Sequence, residues 1–376
     1  MIFDRYLFRS LALATAFTAI TLAALILLTQ SLKFLELVIN SGASSTAFWI
    51  LTTLALPRFF EVILPLALMI AVVFIYNRMS GDSEITVMRA AGLSSLRLAR
   101  PAILLAVIVT IILGIITTWA APVSLSSMQQ TRQFVRAQYS ALLLREGVFN
   151  TIGNDLTVYL RNRNEKGELE GLLIYDSRKE LKAPVTIIAR RGVIVTTDEG
   201  AQQVLVFDGS RQQLNEKTGA LNRLDFQRYS VDLPEAEPMA ERWQEPDERT
   251  LIQLLNPDLS VQRDMDNLYK FKIEIHRRLI APFLALTFTL VSLSCLLVGP
   301  FDRRGLGRRI VMAAGGVIVL QGLYLGATNM ARESLWGLSL MYVLIFLPLA
   351  ISLFFLSGLS ERMRRHIFFN RKGMAI

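Results

Sequence analysis

The stretch Ser83-Glu84-Ile85-Thr86-Val87-Met88-Arg89-Ala90-Ala91-Gly92-Leu93 interrupts a long apolar region, and its reading decides the fold. On one side lies the apolar run Phe48–Tyr76, on the other Pro101–Ala121. Each is long enough to cross a hydrocarbon core of about 30 Å. The interruption predicts a short amphipathic helix over about 82–93. Asp82 or Ser83 can cap it, Glu84 suits the positive end of its dipole, and Gly92 can close it. Ile85 and Met88, with Ala91 or Leu93, form one apolar edge. So short a helix needs a docking surface.

Working outward, four more apolar runs appear: Leu11–Leu32, Leu279–Val298, Ile310–Ala331 and Leu335–Ser357. The chain of 376 residues is 52% hydrophobic, too apolar for an ordinary soluble multidomain protein. Six transmembrane helices account for the excess. The first run follows Arg5 and Arg9 as a secretion signal does, but it continues far beyond a signal's apolar core and is expected to be a retained span. Only Phe48–Tyr76 carries interior charges, Arg58 and Glu61 between Pro57 and Pro65.

Charge sets the orientation. The net charge is +9, yet the block from Pro122 to Lys270 holds 19 basic and 22 acidic residues. The basic excess therefore flanks the spans, which argues against a nucleic-acid surface on a folded domain. Arg78, Arg89, Arg97 and Arg100 share one side with Arg303, Arg304, Arg308 and Arg309, and with the tail cations Arg362, Arg364, Arg365, Arg371 and Lys372. The alternate short connections carry little beyond Lys33 and Arg332. By the positive-inside rule both termini and the 82–93 helix face the cytoplasm, and the central block is exported.

That block changes period. Short alternating or β-branched runs occur at Leu156–Arg161, Leu172–Asp176, Val185–Ala189, Val193–Thr197, Val204–Asp208 and Leu224–Leu233, separated by turn-formers. They predict an antiparallel sandwich, a jelly roll or a related open β structure. The expected division is 1–121, three helices; 122–270, the β-rich domain with its connectors; and 271–376, three helices and a basic tail. The exported block holds no His, no Cys and no serine in a nucleophile-elbow context, so catalytic and metal chemistry lack candidates there. The single cysteine, Cys295, lies in the fourth span, so no disulfide is available. No G-x-x-x-x-G-K-[ST] occurs anywhere, so ATP phosphates are not cradled by that loop and ATP-driven work falls to another polypeptide.

Three spans, an exported β domain and three more spans resemble the LptF/LptG permeases of lipopolysaccharide export over essentially the whole chain. The resemblance is carried by Arg5-Tyr6-Leu7, Ile63-Leu64-Pro65, Ser83–Ser94 and Gly299-Pro300. The Ser-Glu-Ile-Thr-Val-Met form is nearer to the LptF branch. The resemblance implies an inner-membrane permease subunit, not an enzyme, paired with an LptG-like permease and mounted on an LptB-like dimer of cytosolic ATPases. ATP is then bound by that partner, and no cofactor by this chain. It implies extraction of lipopolysaccharide from the outer leaflet and delivery to LptC-like and LptA-like periplasmic jelly rolls. It also implies that Glu84–Gly92 is the coupling helix, and that the first and fifth spans form lateral gates with the partner.

Within that frame the residues carry two readings each. Glu84 and Arg89 can meet charges around an ATPase groove, with Ile85 and Met88 as apolar anchors, or they can belong to a solvated connecting helix. Lys33 can meet a lipid A phosphate or anchor its span by snorkelling. Arg58 and Glu61 lie three apart and can pair with each other, or Arg58 can face a phosphate. Arg277 and Arg278, beside Glu274 and His276, make a cationic collar or an interfacial anchor. His276 has no second histidine at ligand spacing, so metal binding is not expected. Gly315, Gly322 and Gly326 allow close helix packing, within the chain or at a gate. Two rival functions remain open on residues alone: a membrane-embedded lipid-modifying enzyme, which lacks an acid–base constellation, and a non-transporting scaffold that moves its exported domain.

Overall fold

Inside hydrocarbon every backbone donor and acceptor must be satisfied within its own segment, so apolar runs of this length become helices. The computed structural model describes residues 2–41, 44–140, 146–152, 155–164, 168–178, 183–196, 202–214, 220–232, 242–298 and 307–357. Gly299-Pro300, Arg303, Arg304, His366 and the tail cations Arg362, Arg364, Arg365, Arg371 and Lys372 lie outside these residues. The helices are α1 (Ile2–Ser41), α2 (Ser45–Gly81), the short α3 (Glu84–Ala90), α4 (Ser95–Ile115) and α5 (Ala121–Ser140). After the strands come α6 (Leu251–Leu255), α7 (Gln262–Asp266), α8 (Leu268–Ile280), α9 (Phe283–Leu297), α10 (Gly307–Ala331) and α11 (Leu335–Leu356).

Among the described residues five helical stretches are long and apolar enough to span a membrane. The pair α8 and α9, bent by 45° at Ala281-Pro282, makes a sixth. The third span does not stop at Ala121, where the apolar run ends. It continues through a π-helical turn, Ile116–Ala120, into polar α5. The fourth begins earlier than its apolar part, because charged α8 leads into α9.

The chain divides into two compact units. One contains Met1–Leu32, Thr52–Met128 and Trp243–Ile376. Its core gathers Leu7, Leu68, Val72, Leu98, Ala102 and Leu293 from α1, α2, α4 and α9, all buried. A second cluster joins Phe288 to Val317, Tyr324, Met341 and Ile345 from α10 and α11. The segment from Trp243 onward belongs with these helices, whereas the sequence reading grouped 243–270 with the β-rich block.

The other unit, Lys33–Leu51 with Gln129–Arg242, holds the sheet. Its strands are β1 (Phe149–Ile152), β2 (Leu156–Arg163), β3 (Leu169–Asp176), β4 (Val185–Thr196), β5 (Gln202–Leu214) and β6 (Leu221–Asp232). All are antiparallel and neighbours follow sequence order, a meander. The jelly-roll-like expectation is met as an antiparallel sheet with sequential strand order. Alternate residues of its strands, Leu156, Val158 and Leu160 on β2 with Ile174, Ile187 and Val206 on their neighbours, form a buried apolar face.

One transverse row of this sheet is irregular. The pairing between β2 and β3 skips Arg161 with Gly171, and that between β3 and β4 skips Gly171 with Arg190. The next two skip Arg190 with Asp208 and Asp208 with Gln227. Gly171 has φ +67° and Asp208 +51°, both left-handed. Across the row the alternation changes phase: β3 buries Leu169 on one side of it and Leu172 and Ile174 on the other. The sheet is creased there. The expected strands Val185–Ala189 and Val193–Thr197 are in fact one strand, β4, interrupted in pattern at this crease, and β5 runs on past Asp208 for the same reason.

Candidate functional site

The charged residues of α2 and α8 meet in the helical unit. Arg58 and Glu61 lie one turn apart on α2, and Arg58 Nη1 stands 3.4 Å from the Glu61 carboxylate. Arg277 Nη1 donates to the same carboxylate at 3.3 Å. Arg277 also grips Glu274 through Nε and Nη2 at 2.8 and 2.7 Å, the bidentate geometry that suits guanidinium and carboxylate. Arg278 Nε donates to Glu274 at 2.7 Å. A chain of alternating charge thus runs Arg58, Glu61, Arg277, Glu274, Arg278.

Arg278 is the buried end of that chain, 1% exposed. Its remaining donors reach the carbonyls of Pro246 and Asp247 at 3.0 Å, and the carbonyl of Arg249. A buried guanidinium is tolerable only when its donors are satisfied. Here the acceptors come from the strap that leads into α6. Its 3-10 turn Pro246–Glu248 presents two of these carbonyls and Arg249 just after it the third, and Thr250 then starts α6 with a capping box to Gln253. Arg249 in turn binds Asp264 through two bonds of 2.6 and 2.7 Å, and Trp243 Nε1 donates to the same carboxylate at 2.6 Å. The Arg249 guanidinium lies over the rings of Trp243 and Phe271. The Arg249 bonds, opposed by burial and aided by Trp243, hold the Asp264 carboxyl below the usual carboxylate range.

Between α2, α8, the strap and the end of α10 lies a cavity of about 500 Å³. Arg58, Lys270, Arg277 and Arg332 line it, against Glu245, Asp247 and Glu274. Arg278 forms no part of the wall. Of the expected substrate residues the structure therefore brings Arg58 and Arg277 to one cavity, with Glu61 behind them, and assigns Arg278 to the strap. Lys33 is exposed on the part of α1 that belongs to the sheet-containing unit. His276 meets the Tyr342 hydroxyl at 2.8 Å. Sequence reasoning did not single out Lys270, Arg249 or Asp264; an acidic strap followed by paired arginines was the available signal.

At the other edge α3 departs from its expected capping. Ser83 sits in the left-handed region at φ 60° and makes no side-chain cap, while Gly92, at φ +88°, closes the helix as expected. Ile85 is buried, and it and Met88 pack into the unit's own core. Ile85 is thus enclosed within the chain, while Met88 keeps part of its surface open. Arg89 donates to the carbonyl of Leu297 at the end of α9, and to Ser95 at 3.4 Å. The outward face is Thr86, Val87 and Ala90, with Glu84 half-buried beside it.

On α10 a Cβ added at Gly315, Gly322 or Gly326 meets nothing within 4 Å. These glycines do not serve packing among the described residues. Ile318, Val319, Leu323 and Leu325 are exposed nearby, so this face is apolar and shallow. Within the chain the close helix contact falls instead at Gly337, where a Cβ would collide with the Ala331 backbone.

Residues 5–358 match the family model for the lipopolysaccharide export system permease LptF/LptG. The chain is 22% identical over 362 residues to the uncharacterized protein RP871 of Rickettsia prowazekii, covering 95% of this chain and 98% of that one. It is 26% identical over 233 residues to the permease protein LptF of Escherichia coli K12, spanning 61% of this chain and 63% of the relative. Against LptG of Haemophilus influenzae it is 25% identical over 175 residues, 46% of this chain and 48% of the relative. With six candidate spans, an inserted antiparallel sheet and a family match over nearly its whole length, the chain belongs to the LptF/LptG family of lipopolysaccharide export permeases.

Proposed function

We propose that this chain is the LptF-like half of a heterodimeric permease that lifts lipopolysaccharide from the outer leaflet of the inner membrane. The observation that carries the reading is the cavity between α2 and α8. Four cations face it, and among the described residues Arg58 is held by a 3.4 Å contact to Glu61, with its side chain 37% exposed. Guanidiniums pair with phosphate in the same forked geometry they use for carboxylate, so a lipid A phosphate can take Glu61's place on Arg58 and Arg277. Lys33, in the sheet-containing unit, is a separate candidate contact for a phosphate.

The other parts follow from the same frame. The positive-inside pattern supports cytoplasmic termini and a periplasmic sheet. An LptB-like ATPase docks on the outward face of α3 through Glu84 and Val87, with Ile85, Met88, Arg89 and Gly92 fixing the helix to the α9 end and setting its angle. The shallow apolar face of α10, with Gly315, Gly322 and Gly326, meets an LptG-like permease as a seam that can open. The periplasmic sheet passes the lipid toward LptC-like and LptA-like proteins.

The test is reconstitution. Purified from its native membrane, the chain is expected to bring a cytosolic ATPase and a second six-span permease. That complex in proteoliposomes is expected to release lipopolysaccharide to a soluble acceptor only with ATP. A chain that purifies alone and acts without nucleotide would overturn the reading.

A further inference from the structure

The creased row of the sheet does more than bend it. It opens a notch of about 830 Å³ on the sheet-containing unit. Four arginines line the notch, Arg161 and Arg190 from the crease itself, Arg191 beside them and Arg223 on β6, together with Glu170, Asp208 and Asp225. Two of the arginines are already matched, Arg191 with Asp208 at 3.4 Å and Arg223 with Asp225 at 2.9 Å. Among the described residues Arg161 and Arg190 form no ion pair. Both are exposed, and they stand two strands apart in one transverse row, on either side of Gly171.

In this row Arg190 stands opposite Asp208 on β5, while Gly171 on β3 separates it from Arg161. The backbone around the row is shaped to keep it. A Cβ at position 171 would lie 2.9 Å from Arg161 Cβ and 3.3 Å from its Nε. Only glycine leaves the Arg161 side chain this path, and at φ +67° only glycine adopts the backbone without strain. Asp208 holds a left-handed conformation, costly for a residue with a side chain, in the same row. Strands lie about 4.8 Å apart, so Arg161 and Arg190 start roughly 10 Å apart at the backbone, a span two long side chains close around one tetrahedral oxyanion. The notch is not uniformly polar. Exposed Ile188 and half-buried Phe226 add apolar surface to the wall. An anion joined to an apolar or sugar body fits this pairing better than a bare ion.

We propose that the crease is a binding site for a sugar phosphate, taken by the β domain as the phosphorylated headgroup of a glycolipid, with Arg161 and Arg190 on the phosphate and Phe226 against the body. This rests on the lipid-transport reading above but adds to it a second site, on the sheet-containing unit. It is tested on the full chain in nanodiscs, without ATP or partners, by backbone hydrogen exchange with glucosamine 1-phosphate as probe. Segments 161–164, 168–173 and 186–192 are expected to gain saturable protection. Arg161→Gln with Arg190→Gln is expected to raise the apparent Kd about tenfold, the loss of one charge-assisted contact or more. Both positions are exposed, and unchanged exchange of the β2 and β5 core amides without probe checks that the variant is folded. Arg58→Gln is expected to leave this protection unaltered. Equal protection by unphosphorylated glucosamine, or an unchanged Kd in the double variant, would overturn the site. Equal protection by inorganic phosphate would overturn the headgroup assignment in favour of a free ion. Loss of ATP-driven release in the reconstituted complex, with the probe result intact, would count against the transport reading and leave the site standing.

Discussion

The two units use arginine in opposite ways. In the helical unit Arg278 and Arg249 are enclosed, and their donors meet carboxylates, ring faces and backbone carbonyls. In the sheet Arg161 and Arg190 stand in the open beside a strained row of backbone. The first kind is cross-linking: it welds a polar strap onto α8. The second is open to an external anion. Arg58 and Arg277 lie between these extremes, since they share Glu61 through long contacts while facing a cavity. Satisfaction by neighbours is thus what sets the enclosed arginines apart from those open to a ligand.

Substitutions sharpen that contrast. The largest effect is expected at Arg278→Met, which leaves Glu274 and three strap carbonyls without this partner. Removal of one member of a buried pair costs about 3–5 kcal/mol, so chemical unfolding in detergent should show a large loss of stability. Full stability would break the distinction.

Asp264→Asn comes next, at about 2 kcal/mol, since it weakens the charge-assisted bonds to Arg249. It also carries a pH signature. The folded carboxyl lies below its ordinary value, so its contribution is complete above the unfolded value of about 4 and is lost as pH falls through the folded one. Exchange protection of the strap, 243–250, should therefore fade on acidification in the native chain. In Asp264→Asn it should be low throughout, without that slope.

At the exposed end the expected stability changes are small. Val87→Asp or Glu84→Ala on α3 should stay within about 0.5 kcal/mol, as for surface sites, yet reduce recovery of the ATPase in pull-down. Normal recovery together with normal lipid release would remove α3 from the coupling role. Gly322→Leu should be equally silent in the isolated chain, because open space surrounds the position, while it hinders pairing with a second permease. A destabilised monomer would show that this face packs internally.

Much of the architecture was legible in the sequence for a plain reason. Spans announce themselves by runs of apolar residues, and Phe48–Tyr76 or Leu335–Ser357 needs no tertiary information to be recognised. The sheet was legible wherever its alternation held and was misdivided where it did not. Val185–Thr196 reads as two strands because Arg190-Arg191-Gly192 shifts the buried phase. Val204–Asp208 stops at the left-handed residue that the longer β5 passes through. The apolar edge of α3 was recognised, but periodicity cannot say whether Ile85 faces a partner or its own core. The charged site was half legible. Arg58 with Glu61, and Arg277 with Arg278, stood out as charges near spans, yet their roles separate only when α2, α8 and the strap come together.

The most direct measurement is ATP-driven release of lipopolysaccharide from proteoliposomes holding this chain with the second permease and the ATPase proposed above, comparing the native chain with Arg58→Gln. Arg58 lines the cavity without carrying the fold, so the variant should keep its melting behaviour and its assembly. Release should fall about tenfold, in line with the loss of one charge-assisted phosphate contact. Undiminished release by the fully assembled Arg58→Gln complex would contradict a cavity that holds the lipid by its phosphates.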